Sequence, residues 1–144
     1  MPNIEILIKY HDGQEKIEKI PVGDWIDLRS VETVHMEKGD FNVISLGVSM
    51  KLPDGYEAWV LPRSSTFRRW GIIMACNMGI IDNSYCGNND IWGFPAIALR
   101  RTSIFKGDRI CQFRIMKKMP SIKFIEVDNM EDPDRGGFGS TGDK

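Results

Sequence analysis

Five short stretches of this 144-residue chain combine residue types that can grip anions, direct a water molecule or cover a planar ring. Near the C-terminus, Arg135-Gly136-Gly137-Phe138-Gly139-Ser140-Thr141-Gly142 joins a cation, an aromatic plate and two adjacent hydroxyls on a glycine-rich backbone. Glycines permit positive φ and close backbone approach, and the amides and hydroxyls around Gly139, Ser140 and Thr141 can form an anion-binding concavity. Arg135 can meet a phosphate in bidentate fashion. Leu61-Pro62-Arg63-Ser64-Ser65-Thr66 leads from a strand into a short helix, where free amides beside Arg63, Ser64 and Ser65 would suit phosphate. Gly79-Ile80-Ile81-Asp82-Asn83-Ser84-Tyr85-Cys86-Gly87 ends an apolar strand on Asp82, a carboxylate that could orient and deprotonate water with Tyr85 packed beside it. In Gly107-Asp108-Arg109-Ile110-Cys111-Gln112 the alternation puts Arg109 and Gln112 on opposite faces, Gln112 toward a ligand and Arg109 toward a structural carboxylate. Asp24 and Asp27 flank a turn in Asp24-Trp25-Ile26-Asp27-Leu28-Arg29-Ser30. Each stretch also has an ordinary explanation: a frayed end, a serine helix cap, an aspartate capping its own turn.

The elements that must hold these residues are almost all extended. Ile4, Ile6, Ile8 and Tyr10 alternate before the His11-Asp12-Gly13 turn. Residues 41–52 are β-rich and reach Pro53-Asp54-Gly55, after which 56–61 runs back, so the pair reads as a hairpin. Further strands are expected over 71–74, 78–81, 92–100, 109–116 and 122–127, and one short helix over 64–69, opened by a hydroxyl. Many short strands with Gly/Pro punctuation predict an all-β jelly roll or sandwich. Residues 129–144 change character, becoming acidic and then glycine-rich, so the chain divides into a β domain over 1–128 and a flexible C-terminal arm over 129–144.

The bulk numbers exclude several function classes. Apolar residues are 42% and charged residues 27%, an ordinary globular balance in a chain long enough to bury one core. A net charge of −1 argues against a nucleic-acid surface, so phosphate must be held by a few placed cations and amides. No apolar run reaches the ~20 residues of a membrane helix, and the N-terminus reads as a strand and not a signal peptide. Cys76, Cys86 and Cys111 fit neither a zinc spacing nor a disulfide framework, which suggests a reducing, cytoplasmic setting. His11 and His35 read as surface residues without metal-ligand partners.

The order of the motifs adds what no single one carries. Asp-Leu-Arg-Ser, Pro-Arg-Ser-Ser, Gly-Ile-Ile-Asp-x-x-Tyr-x-Gly, Gly-Asp-Arg-Ile-x-Gln and Arg-Gly-Gly-Phe-Gly-Ser-Thr-Gly follow one another between Asp24 and Gly142. The series resembles the five motifs of the trimeric dUTPases. The Asn88-Asn89-Asp90-Ile91-Trp92 insertion resembles the subgroup found in Gram-positive bacteria and their phages. The resemblance implies a jelly-roll homotrimer whose sites draw on different subunits. It would hydrolyse dUTP to dUMP and pyrophosphate by water attack on the α-phosphate, with Mg²⁺ bound mainly through the triphosphate. It further implies that Asp82 holds the water, that Tyr85 packs on the deoxyribose, and that backbone groups from Asn77 through Gly79 to Ile81 read the uracil edge. Arg63, Ser64, Ser65 and Gln112 would bind phosphate, and Asp27 would support the Mg²⁺ hydration shell through water. Phe138 would cover the uracil, and Arg135, Gly139, Ser140 and Thr141 would close on the terminal phosphate. The chain departs from the commoner pattern at Trp25, Ile26, Ser65-Thr66 and Cys76, and in the short Arg135–Phe138 spacing. A dCTP deaminase of the same fold, or a regulatory homologue that binds a protein partner through the insertion, are the competing readings.

Overall fold

The computed structural model describes residues 3–139 and residue 142. In chain order the elements are β1 (Leu7–Tyr10), β2 (Ile26–Arg29), β3 (Val34–Met36), β4 (Phe41–Ser45), β5 (Val48–Lys51), β6 (Tyr56–Pro62), α1 (Thr66–Trp70), β7 (Ile72–Met74), β8 (Gly79–Ile81), β9 (Gly93–Ala98), β10 (Thr102–Ile104) and β11 (Arg109–Lys117). Antiparallel pairing groups them as β2-β11-β6-β8, β4-β9-β7, β1-β5 and β10-β3. The all-β expectation with one short helix holds.

Period-two alternation sets which side of each strand is buried. Along β9, Phe94, Ala96 and Ala98 are fully buried, while Gly93, Pro95 and Ile97 between them are half-buried. Ala58 and Val60 do the same in β6. Trp92, just before β9, meets Phe113 of β11 edge to face at 5.3 Å, which ties the three-stranded sheet to the four-stranded one. Leu28, Ile44, Ile72, Ile104 and Ile110 complete that core, each worth roughly 1.5–3 kcal/mol on burial.

The helix begins at Thr66, later than the hydroxyl at Ser64 suggested. Thr66 Oγ1 accepts from the Arg63 amide at 2.8 Å and donates to the Ile110 carbonyl at 2.8 Å, so this buried hydroxyl anchors the turn to β11. Ser65 occupies the cap position without a side-chain cap bond. At the other end Gly71 (φ 64°) closes the helix, and Arg100 Nη2 donates to the carbonyls of Arg68 and Arg69 at 3.1 and 3.0 Å. A Cβ on Gly71 would lie 2.7 Å from Arg100 Cγ, so both conformation and space require glycine here.

Two expected elements differ. Pro53-Asp54-Gly55 does turn the chain, with the Tyr56 amide donating to the Pro53 carbonyl at 3.2 Å, but the strands it joins do not pair as a hairpin. β5 pairs with β1, and both edges of β6 are taken by β11 and β8. The turn carries the chain between sheets, so that β6 can sit centrally and bury Ala58 and Val60. Residues 122–127 form no strand: pairing ends at Lys117, and Phe124 is 91% exposed. Their alternation has no partner strand among the described residues. No helix of the described residues is long and apolar enough to cross a membrane.

Candidate active site

Asp82 and Tyr85 open on one pocket. Edge strand β8 ends at Ile81, and the turn after it places Asp82, Ser84 and Tyr85 around a space of about 360 Å³ whose far side is Ile91, Trp92 and Gly93. That volume lies in the range of small-molecule sites. The Ser84 amide donates to Asp82 Oδ1 at 2.8 Å. This bond, the Ser84 hydroxyl and the positive charge of Lys118 hold the Asp82 carboxyl below the ordinary carboxylate value, so it is an anion at neutral pH. Tyr85 is half exposed, and its hydroxyl donates to the Ile91 carbonyl at 3.1 Å. Trp92 lines the pocket while almost wholly buried, and its indole N–H has no partner among the described residues.

The approach to Asp82 is a turn that crosses between sheets and not a paired hairpin, because β7 pairs with β9 and β8 with β6. Asn77 adopts a left-handed φ of 70°, and its amide donates to the Met74 carbonyl at 3.0 Å. A Cβ on Gly79 would meet Met74 and Val60 at 3.2 and 3.3 Å, so glycine lets the strand lie close. As an edge strand, β8 pairs on one side only and leaves outward backbone donors and acceptors along Gly79–Ile81.

A second group surrounds Asp27. Arg63 Nε lies 3.4 Å from Asp27 Oδ1, and Arg109 Nη1 lies 3.7 Å from Oδ2. Arg63 Nη1 also donates to the Arg109 carbonyl at 2.9 Å, and Gln112 Nε2 donates to the Pro62 carbonyl at 3.1 Å. The expectation that Arg109 and Gln112 face opposite ways is corrected by a β-bulge. Between Arg109 and Cys111 the register against β2 slips by one residue, so Arg29 opposes Arg109 and Asp27 opposes Gln112. Both β11 residues therefore fall on the Asp27 face, and Arg109 pairs with a carboxylate as expected. Ile110 and Cys111 are consecutively buried as a result. Burial pushes the Cys111 thiol far up, with the Asp27 charge adding to it, so it stays protonated. Ser64 is exposed and Ser65 half-buried at the edge of this cluster. A more enclosed cavity beside Asp27 and Arg109, against Gln14 and Ile17, has room for only about 30 Å³, the space of a single water.

The two groups sit at opposite ends of β6. Ile81 opposes Ala58, whereas Gln112 opposes Leu61 and Arg63 follows the strand. Six residues at about 3.3 Å each separate Glu57 from Arg63, so Asp82 and Arg63 are roughly 20 Å apart along the sheet. The described part of the arm joins neither group: Arg135 and Gly139 are exposed, and Phe138 is wholly exposed with φ 49°. Ser140 and Thr141 lie outside the described residues. One contributor escaped the motif reading, and the face of another was misread. The bulge hid which face Arg109 uses, although the adjacent apolar Ile110-Cys111 breaks alternation and signals it. Lys118 reaches Asp82 only through tertiary structure, its amide donating to the Gly55 carbonyl at 2.9 Å beside the start of β6. His11 is half-buried on Ser49 at 2.8 Å, not a free surface residue, and His35 stands in β3 against Ser103 at 2.7 Å.

Comparison with known proteins places this geometry. A family model described as dUTPase matches residues 25–142. The chain is 58% identical over 142 residues, 98% of its length and 100% of the other's, to the SPbeta prophage-derived deoxyuridine 5'-triphosphate nucleotidohydrolase YosS of Bacillus subtilis. A dUTPase of Staphylococcus bacteriophage 80alpha, solved with dUPNHPP, matches at a TM-score of 0.77 and 20% identity, covering 96% of this chain and 98% of that one. That structure accompanies the statement that phage dUTPases control transfer of virulence genes by a G protein-like mechanism. A mutant dUTPase from phage phi11 of S. aureus, with a coordinated structural Mg(II) ion, matches at 0.76 and 18% identity, covering 89% and 99%. At those identities the structural likeness speaks for the fold, the expected jelly roll, while the family match and the Bacillus relative reach the sequence itself: the chain belongs to the dUTPase family.

Proposed function

We propose that this protein is a dUTP diphosphatase that hydrolyses dUTP to dUMP and pyrophosphate by water attack on the α-phosphorus. The observation that carries the reading is the pocket that ionised Asp82 and Tyr85 both line beside the free edge of β8. Backbone groups from Asn77 through Gly79 to Ile81 read the uracil edge, where a mismatched base leaves buried polar groups unpaired and is rejected by ~10⁴–10⁵. Tyr85 packs on the deoxyribose and leaves no space for a 2′-hydroxyl. Asp82 orients the water and takes its proton as the water oxygen bonds to the α-phosphorus and the bond from the α-phosphorus to the oxygen bridging it to the β-phosphorus breaks, releasing pyrophosphate.

Arg63, Ser64, Ser65 and Gln112 take the phosphates. Because that cluster and Asp82 stand at opposite ends of β6, one site needs both ends from different copies, which supports a homotrimer with shared sites. The exposed apolar run of Ile122, Phe124, Ile125 and Val127 supports the same assembly, since burial on a neighbour would give it a partner. The division into a β domain over 1–128 and an arm over 129–144 belongs to this reading. Arg135, Phe138, Gly139, Ser140 and Thr141 close over the nucleotide, Phe138 on the uracil.

Both oxygens of Asp27 are engaged by arginines, and no group of three or more His, Cys, Asp or Glu among the described residues could hold a metal. This donor set fits a Mg²⁺ held mainly by the triphosphate, with Asp27 reaching its hydration shell through water. When bound, Mg²⁺ would neutralise phosphate charge and favour electron withdrawal from the α-phosphorus.

The exposed Asn88-Asn89 turn also suits a protein partner, a role that is compatible with catalysis. The deciding experiment is pyrophosphate release from dUTP beside dCTP, dTTP and UTP, with Mg²⁺ present. Selective hydrolysis of dUTP is expected; hydrolysis of none of the four would refute the enzyme reading and leave partner binding.

A further inference from the structure

The Gly87–Ile91 loop is built as a closed clamp. The Gly87 amide donates to Asp90 Oδ2 at 2.8 Å, and the Asp90 amide donates back to the Gly87 carbonyl at 3.2 Å. These two bonds close a tight turn over Asn88 and Asn89. The fit is close: a Cβ on Gly87 would stand 2.9 Å from Asp90 Oδ2. Asp90 is half-buried although the four residues before it are exposed. The next residue, Ile91, offers its carbonyl to the Tyr85 hydroxyl at 3.1 Å, and Trp92 then enters the core, its amide on the Val48 carbonyl at 2.8 Å. The loop is thus anchored in the core at one end and braced by a carboxylate at the other. Among the described residues, its one polar contact with the pocket is the hydroxyl of Tyr85.

We infer that Asp90 is a positioning residue for Tyr85, and through it a determinant of discrimination between deoxyribose and ribose. This rests on the proposal that Tyr85 meets the sugar. A ring that is half exposed has little packing to fix its tilt. The hydroxyl bond to Ile91 supplies a second point of attachment, and that point is only as firm as the loop carrying it. If Asp90 loses its carboxylate, the turn over Asn88-Asn89 loosens and the Ile91 carbonyl moves. Tyr85 then swings away far enough to admit a 2′-hydroxyl. Charge is not what the clamp needs. An amide oxygen at the same place accepts from Gly87 equally well, so Asp90→Asn should keep the geometry and Asp90→Ala should lose it.

The test compares kcat/KM for dUTP and UTP in the full-length protein and in Asp90→Ala, Asp90→Asn and Gly87→Ala, together with ¹⁹F spectra of fluorotyrosine-labelled protein. There are three tyrosines, and Tyr85→Phe assigns its line. Asp90→Ala should raise UTP hydrolysis relative to dUTP at least about tenfold, within the ~10–200-fold that shape alone contributes. It should shift the Tyr85 resonance and leave Tyr10 and Tyr56 in place. Gly87→Ala, which pushes the carboxylate away, should reproduce both effects, and Asp90→Asn should restore both. An unchanged dUTP:UTP ratio and an unmoved Tyr85 line in Asp90→Ala would overturn the inference, as would loss of selectivity in Asp90→Asn equal to that in Asp90→Ala. A wild-type protein inert toward dUTP would instead refute the functional proposal, and the clamp would then be judged on the Tyr85 resonance.

Discussion

If Asp82 and Arg63 of one active site come from different copies, two variants that are each nearly inactive should repair one another. On the proposed mechanism, Asp82→Asn removes the group that orients and deprotonates water, which costs at least about a hundredfold. Arg63→Ala removes a cation from the phosphates, and a hydrogen bond to a charged group is worth about 1.5–3 kcal/mol, so turnover falls about 10–150-fold. Arg63→Ala leaves Asp27 its contact with Arg109 at 3.7 Å, so the fold survives the change. The separation of roughly 20 Å along β6, six residues at about 3.3 Å, prevents one chain from supplying both groups to one α-phosphate. Refolding the two variants together at equal concentration scrambles the protomers. A given site then finds an intact Asp82 half the time and an intact Arg63 half the time, so about one quarter of sites are complete in a closed homo-oligomer. Pyrophosphate release by the mixture should approach about a quarter of wild-type, well above either variant alone. Activity equal to the mean of the two separate preparations would show that each chain carries a whole site, and the division of labour read from β6 would be wrong.

Other outcomes are equally direct. Asp82→Asn should lower kcat by at least about a hundredfold with KM little changed, measured by steady-state pyrophosphate release. Deleting residues 135–144 should leave the melting temperature within a few degrees, because Phe138 and its described neighbours bury nothing in the chain itself, while kcat/KM for dUTP falls sharply. The Asp82 carboxyl is held below its ordinary 3.8, so its charged form persists above that pH. The acid limb of kcat/KM due to this group should lie below 3.8, and Ser84→Ala should move it upward toward that value. Gly71→Ala places a Cβ in a left-handed site and displaces Arg100, so it should cost about 1–3 kcal/mol and lower the melting temperature by several degrees in calorimetry.

The parts of the fold that the sequence announced are those where alternation and turn chemistry agree. β9 is long enough for its buried face to show as period two, and Asp82 falls where the strand Gly79–Ile81 stops. The parts that stayed hidden depend on which strand pairs with which. Pro53-Asp54-Gly55 makes the turn its residues predict, but a turn does not state whether the strands beside it pair or part, and here β1 and β11 claim them. The bulge at Arg109–Cys111 is likewise a matter of register against β2, and it reverses which face Arg109 uses. Residues 122–127 alternate like a strand because alternation records a side to be buried, not a partner within the same chain. The role of Asp27 as the anion between two arginines could not be read from a carboxylate near a turn, since Arg63 reaches it from just beyond β6 and Arg109 from β11.

A protein of net charge −1 has no long-range field with which to gather a triphosphate, so attraction must be local and prepared. The Asp27 cluster meets that need through an imbalance: two guanidinium groups share one carboxylate at 3.4 and 3.7 Å. These separations are longer than a tight bidentate pair, so the arginines are held in place without being fully used. An arriving phosphate meets cations already ordered, and Asp27 keeps enough negative charge beside them to prevent two like charges from driving the strands apart. The same economy operates at Asp82, where Ser84 and Lys118 keep the carboxylate ionised in open solvent. An exposed anion of low basicity is a poor proton acceptor. Its basicity would rise only when water is excluded around it, since desolvation disfavours the charged form. On the proposed function, closure of the arm would therefore do more than retain the nucleotide. It would turn a resting carboxylate into a base, and chemistry would begin only on a substrate long enough to draw the arm shut.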